Sequence, residues 1–124
     1  MSTASLQAQH AEFAERVAAG AALLDQHQPG WERQIDVEVL DLASAEDDVL
    51  GQLHGSFDEG LDALLALDAD PDAIARSDAF AVAHGFDVAP DEDEPGAYRE
   101  LTQAWRVQIA QRCIARLGQE GRAR

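Results

Sequence analysis

The chain contains no lysine and no asparagine, and it has one cysteine, Cys113, among its 124 residues. A single cysteine excludes a disulfide within the chain and any zinc site built on several cysteines. Without lysine, neither a phosphate-binding P-loop nor a Schiff-base mechanism is possible. No apolar run approaches the ~20 residues that span a bilayer, and the N-terminus lacks the basic and apolar regions of a signal peptide. We therefore expect a cytoplasmic protein.

Aromatic residues are also scarce, at 6% of the chain, although the hydrophobic fraction of 46% is ordinary for a globular protein. Much of that fraction is alanine, so leucine, valine, isoleucine and the few aromatic side chains must provide most of the buried surface. One domain is the default at this length. We therefore expect residues 1–124 to form a single helical domain.

Basic residues are few, and the net charge of −15 is unevenly distributed along the chain. Residues 36–94 hold eighteen acids and one arginine, whereas residues 95–124 hold two acids and six arginines. The excess of acid repels phosphate backbones and anionic lipid, so we expect no direct binding to nucleic acid or membrane. The acidic middle and the basic tail could neutralise each other, or each could bind an oppositely charged partner.

Apolar spacing and capping residues predict an all-α protein, a compact bundle of about five to six helices with long first and last members. The first helix is expected over residues 4–25 and the last over residues 97–117, because apolar side chains recur there at intervals of three and four. Shorter helices are expected between them, starting at Ser44, Ser56 and Asp70.

Three other stretches are not typical of stable helix. Residues 35–42 alternate apolar and charged side chains, but no second strand candidate exists to pair with them, so a short helix or an extended loop is favoured. Residues 89–96 contain two prolines and four consecutive acids, which are typical of a mobile acidic loop. Residues 118–124 are expected to fray.

Two glycines fall inside predicted helices, Gly51 and Gly60, where each costs about 1 kcal/mol relative to alanine. They indicate close helix packing, or room for a bulky neighbour such as Trp31 or Trp105. Both tryptophans are predicted to be core residues, and a partner-binding groove lined by them is the alternative.

A short pattern occurs twice, as His-Gly-Ser-Phe-Asp at 54–58 and as His-Gly-Phe-Asp at 84–87. One interpretation is a paired histidine and aspartate site that binds a divalent metal or carries out hydrolysis. Its residues would be His54, Asp58, His84 and Asp87. The other is two helix C-termini, each with a left-handed glycine and a phenylalanine that folds back. The second is favoured, because a zinc site needs three or four ligands and only two histidines share this pattern.

No further pattern predicts catalysis or a cofactor. A Gly-x-Ser-x-Gly nucleophile motif is absent. The acids at 68–72 resemble the start of a calcium loop, but Ala73 and Ala79 replace its required glycine and glutamate. Cys113 lies beside the apolar stripe of the last helix and is predicted to be a small core residue. We therefore predict a protein that is not an enzyme and binds no cofactor.

The acidic middle is the main candidate for function. Its carboxylates could mimic the phosphates of DNA and bind a basic or nucleic-acid-binding protein, as an inhibitor would, or they could form a solvated face that only maintains solubility. The residues predicted to bind the partner are Asp47, Asp48, Asp58, Glu59, Asp62, Asp68, Asp70 and Asp72. A homodimer that joins the basic tail of one copy to the acidic middle of another is also open.

Several elements together resemble a group of small uncharacterised proteins from actinobacteria and their phages. They include Pro-Gly-Trp at 29–31, Val-Leu-Gly-Gln-Leu at 49–53 and Leu-Thr-Gln-Ala-Trp-Arg at 101–106, and the likeness covers residues 22–106. Many members carry cysteines just before the second element, where this chain has Ala-Glu-Asp-Asp, so no thiol or metal role follows from the resemblance. It implies a compact fold and an actinobacterial or phage origin, and it implies no activity.

Overall fold

The computed structural model describes residues 2–67, 77–89 and 96–122, with side chains described over 12–65, 77–89 and 96–115, and these residues form an all-α bundle. Its helices are α1 (Ser2–His27), α2 (Val49–His54), α3 (Phe57–Leu67), α4 (Ser77–Ala83) and α5 (Ala97–Arg122), with a 3-10 turn at Trp31–Gln34. No strand occurs among these residues, so the predicted fold class, with long end helices and short ones between, is confirmed.

The ends of the helices agree with the prediction in part. α5 continues to Arg122, so the backbone is helical through most of the segment expected to fray. Residues 35–48 form turns and irregular backbone, which is the loop alternative rather than the short helix. The helix start expected at Asp70 and most of the acidic loop expected at 89–96 lie outside the described residues.

None of the described helices combines the length and the apolar character that crossing a bilayer requires.

The predicted start of α2 at Ser44 is wrong, whereas the predicted start of α3 is confirmed. Asp48 is the N-cap of α2, because its side chain accepts a hydrogen bond from the Gly51 backbone N–H. Ser44 instead closes the preceding turn, where its Oγ accepts from the Asp47 N–H at 3.3 Å. Ser56 caps α3 as expected, accepting from the Glu59 N–H at 3.2 Å.

Two tryptophans form the centre of the core, and both are completely buried. Trp31 meets Trp105 edge to face with ring centroids 5.7 Å apart, and Phe86 stacks on Trp105 at 5.5 Å. Each indole N–H has an acceptor: Trp31 donates to Asp25 Oδ1 at 2.9 Å, and Trp105 donates to the Gly85 carbonyl at 2.6 Å. The prediction that both tryptophans are core residues is confirmed.

Close packing explains the helical glycines. A Cβ at Gly51 would clash with the carbonyl oxygen of Ala45, and one at Gly60 would lie 2.6 Å from Leu50 Cβ. Close helix packing is confirmed at Gly60, which lies against α2, whereas Gly51 lies against the turn before α2. Neither glycine leaves room for a tryptophan. Gly20, in the middle of α1, has the same role, since a Cβ there would clash with the backbone that follows α4.

Two arginines of α5 bind other segments of the chain through an ion pair or hydrogen bonds. Arg112 forms an ion pair with Asp25 of α1 at 2.8 Å, and this hydrogen-bonded pairing lowers the pKa of Asp25 against the opposing effect of its partial burial. Arg106 donates to the carbonyl oxygens of Val37 at 3.2 Å and Leu40 at 3.4 Å. The tail therefore does reach the acidic middle, but at Arg106 it binds the backbone there and not the carboxylates.

Replacing Gly20 with alanine is expected to destabilise the protein by about 1–3 kcal/mol, because the added methyl group overlaps the carbonyl of His84. Helix propensity alone predicts the opposite sign, a gain of about 1 kcal/mol. Chemical denaturation followed by circular dichroism measures the change. Ala18→Gly, at an exposed position of the same helix, is the control for propensity. A stabilised Gly20→Ala variant would contradict the packing shown here.

Candidate functional site

The turns before α2 and the first turns of α3 carry a dense group of exposed carboxylates. We call this group the acidic surface, and its members are Asp36, Glu38, Asp41, Glu46, Asp47, Asp58, Glu59 and Asp62. Residues 36–62 contain no arginine and no lysine. None of the eight carboxylates forms an ion pair with a residue that the structure describes.

Gln52 and a backbone hydrogen bond bring together the segments that carry these carboxylates. The Gln52 side chain accepts from the Asp36 N–H at 2.6 Å and donates to the carbonyls of Asp36 and Asp47, each at 3.1 Å. The Phe57 N–H donates to the Ala45 carbonyl at 2.8 Å, which places the start of α3 beside the last turn before α2. Gln52 was not among the residues expected from the sequence to form the site. Only its position within α2 could have indicated this role.

Local backbone geometry stabilises several of these acids individually. Asp58 and Glu59 lie in the first turn of α3, where the helix dipole favours negative charge. Asp36 accepts from the Glu38 N–H at 3.0 Å, and Asp41 accepts from the Ala43 N–H at 2.9 Å. These hydrogen bonds order the turns, and they leave the carboxylates accessible from solvent.

Asp48, predicted to belong to the partner-binding surface, does not lie on it. The residue is only 2% exposed, because its side chain turns inward to cap α2. Burial raises the pKa of Asp48 to about 7 despite the hydrogen bond from Gly51, and the charges of Asp87 and Asp47 act in the same direction as burial.

Asp48 lines a small pocket, which we call the Asp48 pocket, with a volume of about 160 Å³. The other residues that line it are Leu42, Ala43, Ala45, Phe57, Phe86, Asp87 and Tyr98. Asp87 Oδ1 accepts from the Tyr98 hydroxyl and from the Val88 N–H, both at 2.8 Å. The pocket therefore combines two carboxylates with aromatic walls contributed by three segments of the chain.

The four residues of the alternative metal site do not form one. The described part of the chain contains no group of three or more histidine, cysteine, aspartate or glutamate side chains arranged to hold a metal ion. His54 has a buried Nε2 without a hydrogen-bond partner, and Asp58 is exposed on α3. His84 Nδ1 is hydrogen-bonded at 2.9 Å to the Phe80 carbonyl, one turn earlier in α4. Asp87 belongs to the Asp48 pocket.

Helix termination explains the repeated His-Gly pattern. Gly55 and Gly85 both have positive φ, at 101° and 72°. After α4, the Gly85 N–H donates to the Val82 carbonyl and the Phe86 N–H donates to the Ala81 carbonyl, which is the hydrogen-bond pair of a Schellman motif. Phe86 then folds into the core, so the interpretation as helix C-termini is confirmed for this copy.

Three of the predicted partner-binding residues, Asp68, Asp70 and Asp72, lie outside the described residues. Of the other five, the structure places Asp47, Asp58, Glu59 and Asp62 on the acidic surface.

No protein-family model matches the chain, and neither a curated protein nor a solved structure matches it. The resemblance to the actinobacterial and phage group stays a prediction.

Replacing Asp48 with asparagine is expected to flatten the pH dependence of stability. The carboxyl pKa is about 7 when folded and ~3.9 when unfolded, so between these values the folded state binds more protons and stability falls as the pH rises. The amide keeps an acceptor for the Gly51 N–H without the charge. The variant should therefore match the wild type near pH 4 and exceed it at pH 8 by a few kcal/mol.

Urea unfolding at pH 4, 6 and 8 measures this difference in the free energy of unfolding. Asp47→Asn, at the exposed neighbouring position, is the matched control and should leave the pH dependence largely in place. Parallel pH profiles for wild type and Asp48→Asn would show that the carboxyl group is not held protonated by its surroundings.

Proposed function

We propose that this chain is a non-enzymatic interaction protein that binds a basic protein partner through the acidic surface. The observation that carries the proposal is the presence of eight exposed carboxylates within residues 36–62, a segment without arginine or lysine. Such a surface produces a strong negative potential, which accelerates association with a cationic partner and disfavours anionic ones.

The positions of the tail arginines support this proposal, because two of them are already engaged elsewhere. Arg112 is paired with Asp25 on α1, and Arg106 binds backbone carbonyl groups. Neither neutralises a carboxylate of the acidic surface. Arg99 and Arg106 line a groove with Glu38 and Asp41 but form no ion pair with either carboxylate. A more specific form of the proposal is that the carboxylates of the acidic surface replace DNA phosphates in the groove of a nucleic-acid-binding protein. No observation in the described residues favours the metal or hydrolytic alternative.

Neutralising part of the acidic surface should weaken the binding of a basic ligand. The surface variant combines Asp58→Asn, Glu59→Gln and Asp62→Asn, and a fluorescent lysine-rich peptide is the probe. Exposed ion pairs contribute about 0.2–1 kcal/mol each, so we expect roughly tenfold weaker binding and a smaller dependence of affinity on salt. Fluorescence anisotropy at low and high salt measures both.

The matched control combines Glu12→Gln, Glu15→Gln and Asp78→Asn, which remove the same amount of charge at exposed positions away from the acidic surface. Equal losses of affinity in both triple variants would mean that net charge, and not this surface, determines binding. Circular dichroism checks that the surface variant keeps its helices, because Asp58 and Glu59 also favour the start of α3.

Affinity capture from bacterial extract with the same three proteins tests whether a protein partner exists. We expect a basic protein that the wild type and the control retain at low salt, and that the surface variant loses. Release of this protein by double-stranded DNA would support mimicry. Capture that persists in the surface variant and at high salt would contradict the proposed function.

A further inference from the structure

Residues that line the Asp48 pocket adjoin members of the acidic surface along the chain. Ala43 and Ala45 line it and are themselves exposed, and Glu46 directly follows Ala45. Phe57 also lines the pocket and directly precedes Asp58. A partner that binds the acidic surface would therefore lie next to this pocket.

No described residue supplies a cationic partner to the carboxyl group of Asp48. Its Oδ1 accepts from the Gly51 N–H, and its Oδ2 accepts no hydrogen bond from a residue that the structure describes. The described ionisable groups around it are the carboxylates of Asp47 and Asp87 and the phenol of Tyr98, and none of these carries positive charge. A buried carboxyl group is stabilised either by protonation or by a cation, and a cation from a partner would supply the second.

The shape and walls of the pocket favour an organic cation over a metal ion. Calcium takes six to eight oxygen ligands, whereas this pocket offers two carboxylates and no third ligating carboxylate or histidine among its lining residues. Phe57, Phe86 and Tyr98 provide aromatic walls, which attract organic cations. The volume of about 160 Å³ is close to that of cavities of ~150 Å³ that hold benzene, so the end of an aliphatic side chain fits.

An ammonium group matches the available acceptors better than a guanidinium group. Asp48 and Asp87 each have one carboxylate oxygen, Oδ2, that accepts no described hydrogen bond. An ammonium is a compact charge with three rotatable donors, whereas a guanidinium carries five donors in a wide planar fork. Two acceptor oxygens would leave most of the guanidinium donors without a partner in the pocket, whereas they satisfy most of the ammonium donors.

We propose that the Asp48 pocket receives the terminal ammonium of a lysine side chain from the partner, with Asp48 and Asp87 as its acceptors. This inference rests on the proposed function, and it adds the chemical feature that the partner must present. The acidic surface attracts the partner over a distance, and the pocket anchors one lysine, as buried anchor residues do in other interfaces.

The small cation n-butylammonium, which reproduces the end of a lysine side chain, tests the pocket without the partner. Binding to uniformly ¹⁵N-labelled protein is followed at constant ionic strength through the amide resonance of Gly51, whose N–H contacts Asp48. We expect saturable binding at least tenfold tighter than that of n-butanol, the neutral analogue, and tighter than that of n-butylguanidinium.

Two variants remove one carboxylate each. Asp48→Asn keeps an acceptor for the Gly51 N–H, and Asp87→Asn keeps an acceptor for the Tyr98 hydroxyl, so each preserves the hydrogen bonds of the fold. Each should weaken n-butylammonium binding about tenfold, whereas Glu15→Gln, at an exposed position of α1, should change it by less than about twofold. Using two separate variants keeps the test valid if one of them fails to fold.

Three outcomes would overturn the assignment: n-butylammonium that binds no better than n-butanol, binding unaffected by both variants, or tighter binding of n-butylguanidinium. The surface variant separates this inference from the proposed function. If it loses the lysine-rich peptide while the wild type fails to bind n-butylammonium, the pocket assignment alone is wrong. If it keeps the peptide while the wild type binds n-butylammonium at the pocket, the pocket assignment is supported and the role of the acidic surface is wrong.

Discussion

Trp105 of α5 is the residue around which distant segments of the chain assemble. Trp31 packs edge-on against it at 5.7 Å, Phe86 stacks on it at 5.5 Å, and Gly20 of α1 leaves space beside the edge of its ring. Its N–H donates to the Gly85 carbonyl, so the polar atom of the indole is paired within the core. With so few aromatic residues available, this one cluster joins α1, the turn that follows it, the end of α4 and α5.

The same cluster explains where the basic residues of α5 are used. The guanidinium of Arg112 lies 5.8 Å from the centre of the Trp31 ring and is paired with Asp25, which in turn accepts the Trp31 N–H. Asp25 thus serves as acceptor for both Trp31 and Arg112 at the edge of the core. Arg106 similarly fixes the turns before α2 through their carbonyl groups. These two arginines thus stabilise the fold, and neither forms an ion pair with a carboxylate of the acidic surface.

Patterns within one or two helical turns predicted much of the fold. The apolar spacing of α1 and α5, the cap at Ser56 and the left-handed glycines after α2 and α4 all depend on neighbouring residues, and all were expected from the sequence. The start of α2 was not predicted correctly from the sequence. Ser44 and Asp48 are both good capping residues, and only the folded chain shows that Asp48 caps α2, by accepting from the Gly51 N–H.

The candidate sites, like the fold, could be predicted from the sequence only in part. The sign of the charge on residues 36–62 and its concentration there follow from residue identities alone, so the acidic surface could be expected in outline. Residue identities do not show that Asp48 faces inward while Asp47 faces solvent, or that Asp87 and Tyr98 come to lie beside Asp48. These positions depend on contacts between segments far apart in the chain. Packing determined them: the hydrogen bond from the Gly51 N–H holds the Asp48 carboxyl group inside, although burial disfavours its charged form.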